Sequence, residues 1–241
     1  MHAGRSGPEP GARLAPFGAH PGAALNGALM TIALPRLDRN TAADRGLTLA
    51  DFLVPVAVAE RTPIRIRHLV LIALGAAIVA LTAQIYIPTQ PVPFTGQTLG
   101  VLVVGGALGF RRGAAALALY LLIGAVGLPV FAEGRAGSDV LRGVTGGYLI
   151  GFLVAGAVVG RLAELGWDRR LGAALATMLV GTALIYAIGV PWLKLTTGMT
   201  WSDAVAAGLT PFLLWDAAKI AVAAAAFPAA WWLIGRRPED R

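Results

Sequence analysis

The chain contains no cysteine, which excludes disulfides, thiol nucleophiles and cysteine-ligated metal while leaving the compartment open. Histidine is nearly as scarce, and His2, His20 and His68 are too scattered to suggest a metal site. Charge is also in short supply. Asp, Glu, Lys and Arg make up 14% of the 241 residues, against roughly 25% in a soluble domain. Apolar residues take their place at 56%, with a mean hydropathy of +0.69. Lysine occurs only as Lys194 and Lys219; the other 18 basic residues are arginine, and the formal net charge is +7. Nucleic-acid binding would need those charges on one face, interleaved with stacking aromatics. Here they lie mostly between apolar runs, which argues against nucleic acid. No GxxxxGK[ST] loop, GxSxG elbow or HExxH pair is present, so ATP hydrolysis, esterase and metalloprotease readings have no support. We read the chain as neither an enzyme nor a cofactor carrier.

What is present is a series of apolar runs. A bilayer core of about 30 Å takes about 20 helical residues. The runs 68–87, 95–110, 113–131, 146–162, 171–193 and 214–234 meet or approach this, and the second is the shortest. Arginine sets their direction. Arg61, Arg65 and Arg67 precede the first run, and Arg111 and Arg112 separate the second from the third. Arg161, Arg169 and Arg170 follow the fourth, and Arg236, Arg237 and Arg241 end the chain. The alternate loops hold Arg135, Arg142 and Lys194. Eleven basic residues against three predict an all-α, polytopic membrane protein of six helices with both termini cytoplasmic. The membrane domain is 68–235. Residues 1–46, rich in Gly, Pro, Ala and Arg, are expected to be a disordered tail, with Met30 an alternative start. Residues 47–67 are expected to lie as an amphipathic segment on the cytoplasmic surface, and 236–241 form a cytoplasmic tail.

Small residues recur four apart, as in Gly105, Gly109 and Gly113, and in the pairs Gly147/Gly151 and Gly156/Gly160. Ala73/Ala77 and Ala76/Ala80 do the same in the first run. This spacing lets helix backbones approach closely in lipid. Trp192, Trp201 and Trp215 gather near the outer boundary, and Trp231 and Trp232 near the inner one, as interfacial anchors do. Trp215 stands apart because it adjoins charged residues.

Asp216 and Lys219 are three apart on one face of the last run. Ionisable groups within a membrane helix cost about 2.5–3.5 kcal/mol each at the centre and usually face a cavity or a partner. Two outer loops complete the candidate site. Residues 88–97 are uncharged and proline-stiffened, ending near Thr95 and Gln97, and suit a lid that dips into the bundle. Residues 127–148 are glycine-rich and carry Arg135 and Tyr148. These residues point to a small polar or anionic solute bound from outside.

Read in order, the loops resemble the BioY family, the biotin-specific substrate-binding (S) components of energy-coupling factor (ECF) transporters. The series runs Gln84-Ile-Tyr-Ile-Pro88, Pro91-Val-Pro93, Thr95, Gln97-Thr-Leu99, Gly109-Phe-Arg-Arg-Gly113, Tyr120-Leu-Leu, Gly127-Leu-Pro-Val-Phe-Ala132, Gly134-Arg135, Thr145-Gly-Gly-Tyr148, Gly151-Phe152, Pro211-Phe212, and Asp216 with Lys219. The resemblance implies six helices with cytoplasmic termini in the cell inner (cytoplasmic) membrane, and capture of biotin near the outer face. It implies a substrate site of Asp216, Lys219, Thr95, Gln97, Tyr148 and Arg135. Lys219 is then expected on the ligand carboxylate and Asp216 on the ureido N–H groups; the alternative is that Lys219 only orients Asp216. The implied partners are a transmembrane coupling subunit, reached through Ala73, Ala77, Ala76 and Ala80, and two ATPase subunits. Two positions depart from the family pattern. Val144 replaces the proline before Thr-Gly-Gly, and Leu214-Trp215 replaces Pro-Gly before Asp216. Rival readings are an S component for another vitamin or a metal ion, a membrane-embedded enzyme, and a membrane protein without a ligand.

Overall fold

The computed structural model describes residues 47–53 and 63–235. The expected disordered tail, the alternative start at Met30 and the tail 236–241 lie outside the described residues. Helix α1 (Leu49–Leu53) is followed by α2 (Ile64–Ala83), a short hairpin of β1 (Tyr86–Ile87) and β2 (Phe94–Thr95), and α3 (Gln97–Ala125). Then come α4 (Ser138–Arg142), α5 (Gly146–Glu164), α6 (Leu171–Thr197), α7 (Trp201–Gly208) and α8 (Leu213–Gly235). Among the described residues, five helical stretches are long and apolar enough to cross a membrane.

One of them crosses twice. In a straight helix, residues eight apart stand about 12 Å apart along the axis. A Cβ on Gly113 would nevertheless lie 3.1 Å from Gly105 Cα. The chain therefore reverses at Gly109, whose φ of 80° and ψ of −178° belong to a region that is essentially glycine's alone. Helix α3 is thus two antiparallel limbs, residues 97–108 and 110–125, and the described residues contain six crossings. The new start is capped from outside: Glu164 Oε1 accepts the Phe110 N–H at 2.9 Å. The first limb rises only about 18 Å, so the β1–β2 hairpin covers the remaining depth above it. Irregular backbone at that depth is tolerated where it lines a protein cavity, as it does here.

The glycine repeats are helix-packing faces. A Cβ at Gly105 would meet Gly156 O at 2.6 Å, one at Gly160 would meet Gly109, and one at Gly151 would meet Ile185. Apolar side chains such as Leu69, Leu74, Leu81, Leu122 and Leu233 point outward, which is the arrangement a lipid solvent allows.

The ends of the bundle sort by charge as the arginine count requires. At the arginine-rich end, Arg112 forks onto Asp51, donating to Oδ1 at 2.7 Å and to Oδ2 at 2.9 Å. Burial raises the Asp51 pKa, but the Arg112 and Thr48 bonds outweigh it and hold the carboxyl below 3.8. Nearby, Trp231 Nε1 donates to Asp168 at 2.7 Å, Arg169 lies over the Trp231 ring at 4.4 Å, and Arg169 donates to Leu47 O. Asp168 sits in the turn between α5 and α6, and burial pushes its pKa up to about 6. These contacts pin α1 to the bundle with Leu49 and Ala50 buried, so this part of the 47–67 segment is docked rather than laid along the surface.

Candidate functional site

At the opposite end is a cavity, with about 590 Å³ of empty space when its open mouth is counted. Its walls come from the β1–β2 hairpin, the first limb of α3, the loop before α5, and helices α5, α6 and α8. Thr95, Gln97, Arg135, Tyr148 and Lys219 all line it. The sequence scatters these residues over more than a hundred positions; the fold brings them together.

The polar groups are held in place. Lys219 Nζ donates to Asp216 Oδ1 at 2.9 Å and to the Thr95 carbonyl at 2.7 Å, which fastens the hairpin to α8. Gln97 Nε2 donates to the Tyr120 hydroxyl at 2.6 Å, so the amide is oriented before any ligand arrives. The Tyr148 hydroxyl donates to Gly208 O at 2.8 Å. Its ring lies so close to α6 that a Cβ on Gly189 would come within 2.4 Å. Tyr148 therefore offers the cavity an aromatic surface while its hydroxyl ties α5 to the end of α7. Arg135 Nε is 3.6 Å from Glu133 Oε2, and its side chain is more than a third exposed.

Asp216 is the exception among the expected residues. It is 3% exposed and does not line the cavity; Lys219 and Tyr186 stand in front of it. The Tyr186 hydroxyl donates to Asp216 Oδ2 in a short contact. Tyr186 was not among the residues expected from the sequence, although a lone tyrosine in the middle of an apolar span, away from the interfacial belts, is a usable signal. Phe131, Phe152, Ile185 and Phe212 also line the cavity and were given no role: Phe152 and Ile185 sit in membrane helices, where apolar residues carry no mark of which side they face, and Phe131 and Phe212 sit in the connections between helices. Trp215, singled out for its place beside Asp216, is 54% exposed and lies outside the cavity lining. Trp192 and Trp231 do more than anchor: the first donates to Gly143 O and the second to Asp168. Val144 packs against the core beside the cavity.

The small-residue face of α2 is split. Ala73 and Ala77 are exposed, Ala80 is half-buried, and Ala76 is 2% exposed within the bundle core. The pair Ala73/Ala77 is open to a partner helix, and Ala76 is not.

Six membrane crossings enclosing an apolar cavity with a few fixed polar groups, roofed by a hairpin, define an all-helical membrane protein that holds a small solute. The chain belongs to the BioY family, whose model matches residues 56–236. It is similar to the biotin transporter BioY2 of Lactococcus lactis subsp. cremoris, 41% identical over 156 residues, covering 64% of this chain and 85% of that protein. It is also similar to the biotin transporter BioY of Thermotoga maritima, 40% identical over 158 residues, covering 66% and 92%. Among solved structures, the fold matches the S-component for biotin from an ECF-type ABC transporter. The TM-score is 0.62 at 23% identity, over 71% of this chain and 97% of the other.

Proposed function

We propose that this protein captures biotin in the outer-end cavity and serves as the substrate-specificity subunit of an ECF-type transporter. The observation that carries the reading is the convergence of Thr95, Gln97, Arg135, Tyr148 and Lys219 on one cavity in a chain of the BioY family. Biotin has a cyclic urea with adjacent N–H donors and a carbonyl acceptor, an apolar thioether ring, and a carboxylate on a flexible tail. The aromatic walls of Phe131, Tyr148, Phe152 and Phe212, with aliphatic Leu149 and Ile185, suit the thioether ring.

Two cations line the cavity, and their surroundings differ. Lys219 is already paired with Asp216 and bonded to the Thr95 carbonyl. That leaves one of its three N–H donors for a neutral acceptor such as the urea carbonyl. Arg135 is more open, and its fork suits a carboxylate. We therefore place the carboxylate at Arg135 and the ureido ring at Lys219, with Asp216 behind it. This differs from the assignment of the carboxylate to Lys219 drawn from the family resemblance.

The protein acts in the cell inner (cytoplasmic) membrane with its arginine-rich end inward. Its partners are a transmembrane coupling subunit and two ATPase subunits, with Ala73 and Ala77 as the docking stripe on α2. The test is equilibrium binding of labelled biotin to the purified, detergent-solubilised chain without partners. Saturable binding is expected, and Lys219→Ala is expected to weaken it strongly. Absence of binding by folded protein overturns the biotin assignment and leaves the six-helix fold untouched.

A further inference from the structure

The site contains a hydroxyl whose hydrogen is already committed. Tyr186 lines the cavity, and its O–H donates to Asp216 Oδ2. A tyrosine hydroxyl has one hydrogen to give. With that hydrogen directed at a carboxylate, the oxygen can meet a ligand only as an acceptor. The ring is fixed as well: it stands edge-on to Tyr148 at 6.2 Å and 85°, and 6.5 Å from Phe212.

Asp216 completes the arrangement from behind. Its Oδ1 accepts from Lys219 and its Oδ2 from Tyr186. One buried carboxylate thus fixes two groups of opposite character on the cavity wall, an ammonium donor and a phenol acceptor. A cyclic urea presents the complementary pair, a carbonyl acceptor beside an N–H donor.

We infer that Tyr186 is a specificity-determining residue whose hydroxyl oxygen accepts a hydrogen bond from one ureido N–H of the ligand, and that Asp216 is the positioning residue, acting through both Tyr186 and Lys219. The inference rests on the biotin reading of the cavity. It assigns the N–H recognition to Tyr186 rather than to direct contact with Asp216.

The test compares wild type with Tyr186→Phe, which keeps the ring and removes the hydroxyl. Each is titrated with biotin and with the two isomers methylated on one or the other ureido nitrogen. Wild type is expected to bind one isomer at least about tenfold more weakly than biotin. Tyr186→Phe is expected to bind biotin roughly 10- to 100-fold more weakly than wild type, with little further loss for that same isomer. A purely structural role would weaken all three ligands by one common factor, and that result overturns the assignment, as does unchanged biotin affinity. If Tyr186→Phe does not purify folded, wild type alone decides: equal affinity for biotin and both isomers overturns the assignment, and selective loss of one supports it. No saturable biotin binding by folded wild type overturns the biotin reading and this assignment together, whereas wild-type binding with unchanged ligand ratios in Tyr186→Phe overturns this assignment alone.

Discussion

Lys219 Nζ reaches the backbone carbonyl of Thr95 at 2.7 Å across 124 residues of sequence, while its own helix supplies Asp216 at 2.9 Å. One ammonium thus links the roof of the cavity to its wall, and its charge is balanced within a turn of helix. Such a pair depends on both members, because removing one leaves the other's charge buried and uncompensated, at a cost of about 3–5 kcal/mol.

Lys219→Met should therefore lower the melting temperature in detergent more than the double variant Asp216→Asn/Lys219→Met, which removes both charges. Melting curves of wild type, the two single variants and the double variant check this. A double variant no more stable than Lys219→Met would show that the pair is not energetically coupled.

Arg135→Ala should abolish discrimination between biotin and its methyl ester, because the fork that recognises the carboxylate is gone. Lys219→Ala should weaken both ligands while keeping their ratio close to that of wild type. Competition binding with the two ligands measures both ratios. A ratio that collapses in Lys219→Ala and persists in Arg135→Ala would move the carboxylate to Lys219.

Stability should depend on pH through Asp168. Its folded pKa, pushed up to about 6 by burial, lies above the ordinary 3.8. The folded state therefore holds its proton more tightly than the unfolded state. The resulting stability is fully present below about pH 4 and is lost as pH rises through about 6. Asp168→Asn keeps an acceptor for Trp231 and removes the titration. The melting temperature of wild type minus that of Asp168→Asn should fall as pH goes from 4 to 7. A flat difference across that range would rule out a titrating Asp168.

Gly109→Ala should destabilise the fold by more than about 1 kcal/mol, since a side chain at φ 80° and ψ −178° carries backbone strain. The added Cβ would also lie 2.7 Å from Glu164 Oε1 and 2.8 Å from Thr48 Cγ2. Gly172→Ala is the control, because nothing lies within 4 Å of its Cβ position. Melting curves of the two variants should separate clearly.

The sequence by itself determined the class of the protein and its crossings. Long uncharged runs have no soluble alternative that hides them, and the alternation of arginine between loops fixes direction one loop at a time. Both signals are local, so they survive without a structure. Even the short second run was legible, because dropping it would put every later arginine cluster on the wrong side. The ordered loop motifs carried the family, and with it Thr95, Gln97, Arg135, Tyr148 and Lys219.

The tertiary structure alone decided which side chains face the cavity and which stand behind them. Asp216 and Lys219 are indistinguishable by spacing, yet one is screened and the other lines the wall. Ala76 and Ala77 are neighbours in sequence and point to opposite environments. Tyr186 and Phe212 gain their meaning only from residues dozens of positions away. In a membrane helix bundle the lipid-facing and protein-facing sides of a span are both largely apolar. Hydrophobic pattern therefore does not tell inside from outside, and only the packing of one helix against another does.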